Sequence, residues 1–299
     1  MQEDIAEVYI RNKKDECLKL IEFNIWHGMD SNQLKAWFKN FNTIEERFFA
    51  ACVLDWLVYR SDKHVIAMLY DLLTKHLHNQ WRLDGNPIYD AQRNPLAMLR
   101  EKWGEIGFRY VTAVTRQDKG TKSGYHIVSE MNHMMQVMTK WNIKNDEIEQ
   151  KYKDGIRTFV FVDDILGTGE QMKSVLQESK IGEYTDIYVY VLVCAGHEKG
   201  INEVYKIYPN VKILCAEYIP NDSNIFLNLP ATEFGKKTPE EMHNWYENFM
   251  NEKGVNRGNI FGKGDVGMTY AFQHNVPNNS LPILYENEHL FKFLNKRGN

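Results

Sequence analysis

Two adjacent carboxylates, Asp163 and Asp164, have the residue types and the setting for ligand chemistry. They follow an apolar run from Thr158 to Val162 and precede a short turn that contains Gly167 and Gly169. Carboxylates accept hydrogen bonds from sugar hydroxyls and can ligate Mg²⁺. Backbone N–H groups of a glycine-containing turn that opens a helix can hold a phosphate, aided by the helix dipole. This order of residues predicts a site for a phosphorylated sugar or a nucleotide.

The apolar run before the acidic pair predicts a strand. A continuous apolar run of about five residues, bounded by turn residues, is typical of a strand buried on both faces of a parallel sheet. Ligands of open α/β sheets bind outside the carboxyl ends of such strands, where the acidic pair is expected. The same residues also suit a strand that ends in a solvated Asp-Asp turn and is followed by a helix.

A second strand, loop and helix are predicted earlier in the chain. Residues 108–114 (FRYVTAV) predict the first strand of an α/β domain, and a helix is expected from about residue 125. The loop between them carries the basic residues Arg116, Lys119 and Lys122 and ends in a Lys-Ser-Gly turn. This loop could hold an anion, or it could be a solvated basic loop.

Composition and charge bound the class of protein. The chain has 299 residues, of which 43% are hydrophobic and 25% charged, as in soluble globular proteins of one or two domains. The net charge of −4 gives no global field that would recruit nucleic acid. Four scattered cysteines without a CxxC pair predict free thiols of a reducing compartment. Neither a signal peptide nor a membrane-spanning run is evident, so a cytoplasmic location is expected.

The rest of the chain predicts two regions. Residues 1–105 are expected to be a helical N-terminal region, with a Gly-, Pro- and Asn-rich loop at 84–95 near its end. Residues 106–299 are expected to form the α/β domain, with further strands at 186–194 and 211–219 that alternate with helices. A polar linker is predicted at residues 142–155, before the strand that leads to the acidic pair.

Two segments near the end of the sequence have alternative interpretations. Residues 253–267 contain five glycines and the cations Lys253, Arg257 and Lys263. They could form a mobile lid that brings a cation to an anion, or a flexible surface loop. Residues 274–282 (HNVPNNSLP) predict a shaped loop after a strand. Its side-chain amides, such as that of Asn278, could form hydrogen bonds with the edge of a nucleotide base or with backbone groups of the loop.

The strand, the acidic pair and the Thr-Gly loop resemble the phosphoribosyl-diphosphate (PRPP) binding motif of type I phosphoribosyltransferases. The resemblance implies that the acidic pair binds the ribose hydroxyls and that the loop at 167–171 binds the 5′-phosphate. It also implies that Lys122, Ser123 and Gly124, with Arg116 nearby, hold the pyrophosphate. One departure is that Glu170 and Gln171 replace small residues of the common loop. Another is the short interval before Thr158, where most type I enzymes have extra strands and a flexible catalytic loop.

Further segments make the resemblance more specific. Residues 34–41 (LKAWFKNF), the Lys-Ser-Gly loop, residues 163–169 (DDILGTG) and residues 274–282 together resemble the phosphoribosyltransferase-like domain of bacterial conflict systems, PRTase-CE. This resemblance runs from about residue 30 to the end. The family is associated with antiphage defence operons, including some retrons. It implies a defence effector or regulator, with a reverse transcriptase and its RNA–DNA product, or another defence-operon protein, as the partner.

The resemblance therefore predicts an α/β protein with a type I phosphoribosyltransferase-like parallel sheet and a preceding helical region. It predicts binding of PRPP or a related nucleotide with Mg²⁺ and a reaction at the ribose C1. The catalytic residues would be Asp163, Asp164 and Lys122, and the two aspartates would also face the metal. The substrate-binding residues would be Arg116, Ser123, Gly124, Gly167, Thr168, Gly169, Glu170, Gln171 and Asn278. The alternatives are a non-catalytic nucleotide sensor and a structural subunit of a defence ribonucleoprotein complex.

Overall fold

The computed structural model describes residues 3–115, 123–229, 237–255 and 258–285. The chain forms two compact units. The first combines residues 1–62 with residues 221–298, and the second is the continuous stretch 63–220. The domain boundary that the sequence predicts near residue 105 falls within the second unit. The division into a helical region and an α/β domain at that residue stays a prediction. No helix within the described ranges is both long enough and apolar enough to cross a bilayer.

The helices and strands follow in chain order. The helices are α1 (Glu3–Glu22), α2 (Ser31–Phe38), α3 (Ile44–Asp55), α4 (Asp62–Asp71), α5 (Leu77–Leu83), α6 (Pro95–Leu99), α7 (Ser123–His133), α8 (Ile148–Lys153), α9 (Glu170–Glu178), α10 (Glu198–Ile207), α11 (Ile225–Asn228) and α12 (Pro239–Glu252). The strands are β1 (Val58–Arg60), β2 (Phe108–Thr112), β3 (Asn142–Ile143), β4 (Thr158–Leu166), β5 (Tyr188–His197), β6 (Lys212–Ile219) and β7 (Tyr270–Phe272).

The first unit is mainly helical. Its core is rich in aromatic side chains, and five of the fully buried ones are Trp37, Phe48, Phe49, Tyr246 and Phe272. β1 pairs in parallel with β7 to form a two-stranded sheet. α12 begins with a capping box, because the Thr238 hydroxyl accepts from the Glu241 N–H and the Glu241 carboxylate accepts from the Thr238 N–H.

The second unit contains the parallel sheet that the sequence predicts. Five strands lie in the order β3-β2-β4-β5-β6, and all neighbours are parallel. The central strand, β4, pairs with β2 and with β5 and is buried along almost all of its length. One face of the sheet carries Phe159, Phe161 and Val191, which pack with apolar residues of α9 and α10. The predicted fold class is confirmed.

The structure corrects two details of the predicted elements. β4 continues through the acidic pair to Leu166, because its pairing with β5 extends to Leu166 opposite Gly196. The predicted polar linker at 142–155 contains β3 and α8. β3 pairs with the end of β2, and the Asn145 amide donates to the Val114 carbonyl at 2.6 Å. Backbone pairing and buried apolar residues such as Ile148 therefore give this segment structure.

Candidate functional site

The acidic pair lies inside β4, near its carboxyl end. Side chains alternate along a strand, which places Asp163 on the same face as Phe159 and Phe161, where α9 packs. The Asp164 carboxyl group interacts with that of Asp163, so the two acids form one pair. Both carboxylates are buried, with 3% of Asp163 and 1% of Asp164 exposed. The sequence prediction of two carboxylates after the strand is therefore wrong about their setting, although the pair does precede the glycine turn.

Asp163 is held by hydrogen bonds from three directions. Its Oδ1 accepts from the Ser123 hydroxyl at 3.1 Å and from the Asp164 N–H at 2.9 Å. Its Oδ2 accepts from Nε2 of Gln171 at 3.2 Å, and the same nitrogen donates to the Ala113 carbonyl at 3.0 Å. Asp163 thus connects the first residue of α7 with the first turn of α9, and Gln171 extends this connection to Ala113, directly after β2.

Negative charge is costly at Asp163. Burial is the main cause that raises the pKa of Asp163 well above its usual value, and the neighbouring Asp164 carboxylate adds to it. The Asp164 N–H and the Ser123 hydroxyl act in the opposite direction, since they favour the ionised form. Burial followed by the two carboxylates also raises the pKa of the Cys194 thiol on β5. A cation or hydroxyl donors brought by a ligand would relieve this unfavourable charge.

The turn after β4 is packed closely against α10. Gly169 precedes α9 with φ of +80°, a left-handed conformation that favours glycine. A Cβ atom at Gly169 would lie 2.7 Å from the Gly200 carbonyl oxygen, and a Cβ atom at Gly200 would lie 2.2 Å from the Gly167 carbonyl oxygen. Gly169 and Gly200 therefore let two backbone segments approach more closely than any larger residue would allow.

The other predicted residues of this turn differ in exposure. Thr168 is half-buried, and Glu170 is exposed at the first position of α9. A carboxylate at the beginning of a helix is favoured by the helix dipole. Glu170 can therefore be favourable at the beginning of α9, although its charge would repel a phosphate bound nearby.

The structure accounts for some, but not all, of the predicted site residues. Ser123 and Gly124 begin α7, and a Cβ atom at Gly124 would lie 3.3 Å from a methyl group of Val114. Arg116 and Lys122 lie outside the described residues. Asn278 belongs to the first unit, where its carbonyl accepts from the N–H of Lys263 at 2.7 Å.

The segment proposed as a lid or a flexible loop lies in the first unit. The Lys253 ammonium donates to the Asn40 carbonyl at 2.9 Å, at the end of α12. Arg257 lies outside the described residues. Gly262 has φ of +80°, and a Cβ atom there would lie 2.0 Å from the Asn279 carbonyl oxygen. Two parts of this segment are therefore fixed by contacts within their own unit.

Sequence reasoning missed three residues that shape the site. Gly200 supports the glycine turn, Ala113 supplies the carbonyl that binds Gln171, and Cys194 lies on the strand beside Asp164. A glycine within a helical pattern is a weak signal of close packing, and Gly200 carries that signal. The other two look like ordinary strand residues, and only the sheet register brings them to the acidic pair.

Comparison with known proteins agrees with this geometry. The family model for PRTase-CE matches residues 34–297, which is most of the chain and includes the whole five-stranded sheet. Comparison with curated protein sequences gave no match. The match confirms the resemblance predicted from the short motifs, and the chain belongs to the PRTase-CE family.

Proposed function

We propose that the carboxyl end of β4 binds a phosphorylated ribose, either PRPP or a related nucleotide, and acts at the ribose C1. The proposal rests on the order in which the carboxylates, the glycine turn and the helix follow one another along the chain. A buried pair of carboxylates is followed at once by a tightly packed glycine turn that opens a helix. Membership of a phosphoribosyltransferase-like family supports the same class of ligand.

The acidic pair would bind the ribose hydroxyls. Asp163 accepts three hydrogen bonds from its own chain, and a carboxylate has about four acceptor positions. The Asp164 carboxyl group also interacts with the Asp163 side chain, so the pair would bind ligand hydroxyls together. In its ionised form, Asp163 would also favour the positive charge that develops at C1 when its bond to the leaving group breaks.

The turn at residues 167–171 would hold the 5′-phosphate. Backbone N–H groups at the start of α9 have no partner within the helix and lie at the positive end of its dipole. Glu170 opposes this role, since two unit charges 4 Å apart in water repel by about 1 kcal/mol. Its exposure to solvent limits that repulsion. Ser123 and Gly124, together with Lys122 and Arg116, are assigned to the pyrophosphate by the family resemblance.

Mg²⁺ is the cofactor that the family implies, and the donor set at the acidic pair fits it. Mg²⁺ prefers carboxylate oxygens and ligand phosphates. The raised pKa of Asp163 indicates a position where a cation would relieve unfavourable negative charge. Asp163 and Asp164 would hold the ion directly or through the ribose hydroxyls. When bound, the ion would neutralise charge on the leaving pyrophosphate, as the resemblance also implies for Lys122.

Asp163→Asn is expected to abolish ligand-induced stabilisation. Thermal unfolding would be followed with PRPP, ATP, NAD and nucleoside monophosphates, with and without Mg²⁺. A ligand at 100 times its Kd stabilises a protein by about 2.7 kcal/mol, which would raise the unfolding midpoint of the wild type. Asp186→Asn is the matched control, because Asp186 is an exposed carboxylate that binds Tyr152 and Arg157. An equal shift in Asp163→Asn and in the wild type would contradict the proposal.

A non-catalytic sensor is the second candidate function. The observation in its favour is that Asp163 is already bound by three groups of its own chain, as an internal structural carboxylate would be. Mass analysis of a stabilising ligand after incubation separates the two functions. Recovery of the intact ligand supports a sensor, whereas consumption supports an enzyme. A purely structural subunit would show no stabilisation by any of these ligands.

We further propose that the protein acts as an antiphage effector, in a complex with a reverse transcriptase and its RNA–DNA product or with another defence-operon protein. This proposal rests on the family resemblance. Phage challenge of cells that carry the native operon tests it. Protection should be lost with Asp163→Asn and kept with Asp186→Asn, and full protection with Asp163→Asn would overturn a role of the site in defence.

A further inference from the structure

The orientation of the Gln171 side chain is fixed by two acceptors. Its Nε2 lies 3.0 Å from the Ala113 carbonyl oxygen and 3.2 Å from Oδ2 of Asp163. A backbone carbonyl can only accept, so the amide nitrogen rather than the amide oxygen must face it. Each of the two hydrogens on that nitrogen then has a protein partner. The side chain therefore has no hydrogen left for a phosphate oxygen, contrary to a direct side-chain role in phosphate binding.

These contacts join three elements of the second unit. Gln171 is in the first turn of α9, Asp163 is in β4, and Ala113 directly follows β2. The glycine turn, whose Gly169 stands two residues before Gln171, is the connection between β4 and α9. The amide of Gln171 therefore fixes the distance between the beginning of α9 and the strand that carries the acidic pair. Loss of the amide would leave a buried carboxylate oxygen without this donor, which is costly.

We propose that Gln171 is a positioning residue, which holds the first turn of α9 in register with Asp163 so that phosphate and ribose groups of one ligand can bind together. This inference rests on the proposed function and deepens it. The ligand class is a ribose 5-phosphate group, because its phosphate and its hydroxyls must be bound at a fixed separation. Gln171 acts through Asp163 and through the backbone of the turn, without contact between its side chain and the ligand.

The first test compares two glutamines of the same helix. Gln171→Met keeps the length of the side chain and removes its hydrogen bonds, and Gln177→Met makes the same change at an exposed position of α9. Binding of ribose 5-phosphate with Mg²⁺ would be measured by calorimetry. We expect affinity to fall about tenfold or more in Gln171→Met and to stay within about twofold in Gln177→Met. Unfolding midpoints without ligand would show that both variants are folded.

The second test measures how ligand binding by Gln171→Glu depends on pH, because a carboxyl group can donate a hydrogen bond only when it is protonated. In Gln171→Glu, the new carboxylate would face the Asp163 carboxylate and the Ala113 carbonyl, and repulsion would raise its pKa. Once protonated, it can donate one hydrogen bond and restore part of the connection. The ratio of its Kd to the wild-type Kd should therefore fall as the pH is lowered from about 8 to about 5.5. Division by the wild-type Kd at each pH corrects for titration of the ligand phosphate and of Asp163.

The outcomes separate the inference from the proposed function. If the wild type binds and Gln171→Met binds equally well, the positioning role is wrong and the proposed function stands. A Kd ratio for Gln171→Glu that stays constant with pH would also contradict the role, because a general packing defect has no such pH dependence. If the wild type binds neither ribose 5-phosphate nor PRPP, the proposed function fails and the inference fails with it.

Discussion

Gly200→Ala is expected to lower the unfolding midpoint and to remove ligand-induced stabilisation. The added Cβ atom would lie 2.2 Å from the Gly167 carbonyl oxygen, 2.9 Å from the Gly167 carbonyl carbon and 3.0 Å from the Gly169 nitrogen. All three are backbone atoms, so α10 or the glycine turn must move. Overpacking of this kind costs about 1–3 kcal/mol. Displacement of the turn would also move the N–H groups that are proposed to hold the phosphate.

Gly182→Ala is the control for this prediction. Its Cβ atom would lie 3.9 Å from the ring of Tyr208, which is an ordinary van der Waals distance. The same chemical change should therefore leave both the unfolding midpoint and the ligand response near their wild-type values. A Gly200→Ala protein as stable and as responsive to PRPP as Gly182→Ala would show that the close approach of turn and helix is unimportant.

The stability of the protein is expected to depend on pH through Asp163. Its pKa in the folded protein is raised, by burial first and by Asp164 second. Folding therefore favours its protonated form, so its contribution to stability is present below the ordinary aspartate pKa and is lost as the pH rises through the folded pKa. Asp163→Asn removes this dependence. The stability of Asp163→Asn relative to the wild type should increase from acid to neutral pH, as measured by chemical unfolding at several pH values.

Asp186→Asn should show the opposite trend. Hydrogen bonds from Tyr152 and then from Arg157, together with the charge of Arg157, lower the pKa of the Asp186 carboxylate. Its contribution is present above the unfolded pKa and is lost as the pH falls through the folded pKa. Relative to the wild type, Asp186→Asn should therefore lose stability as the pH rises from acid values. If the stabilities of the two variants relative to the wild type changed with pH in the same direction, the opposite pKa shifts of Asp163 and Asp186 would be contradicted.

The parallel sheet could be predicted because its signals are local. The apolar runs at 108–114, 158–162, 186–194 and 211–219 are each bounded by polar or turn residues, and each forms a strand of the second unit. The acidic pair and the glycine turn are predictable for the same reason, since carboxylates and glycines of one short segment imply both chemistry and backbone conformation. The family followed from four such segments in order.

The contacts that shape the site could not be predicted, because they join residues that are distant in the sequence. Gln171 reaches Asp163 and Ala113 only once α9 lies on the sheet, and Gly200 meets the glycine turn only once α10 has packed beside it. The sequence predicts too short a strand β4, because aspartate disfavours strands. Pairing with β5 overrides that preference up to Leu166.

The division of the chain into a continuous and a discontinuous unit has a consequence during translation. The unit with the acidic pair is encoded by one uninterrupted stretch, residues 63–220, which includes both Gln171 and Gly200. The other unit needs β7 to pair with β1, and its residues before 63 must wait for those after 220. Because domains generally fold as units while the chain emerges from the ribosome, the unit with the acidic pair should fold before the helical unit. Until then, aromatic side chains of the early residues, such as Trp37 and Phe49, would lack the core that buries them in the folded protein.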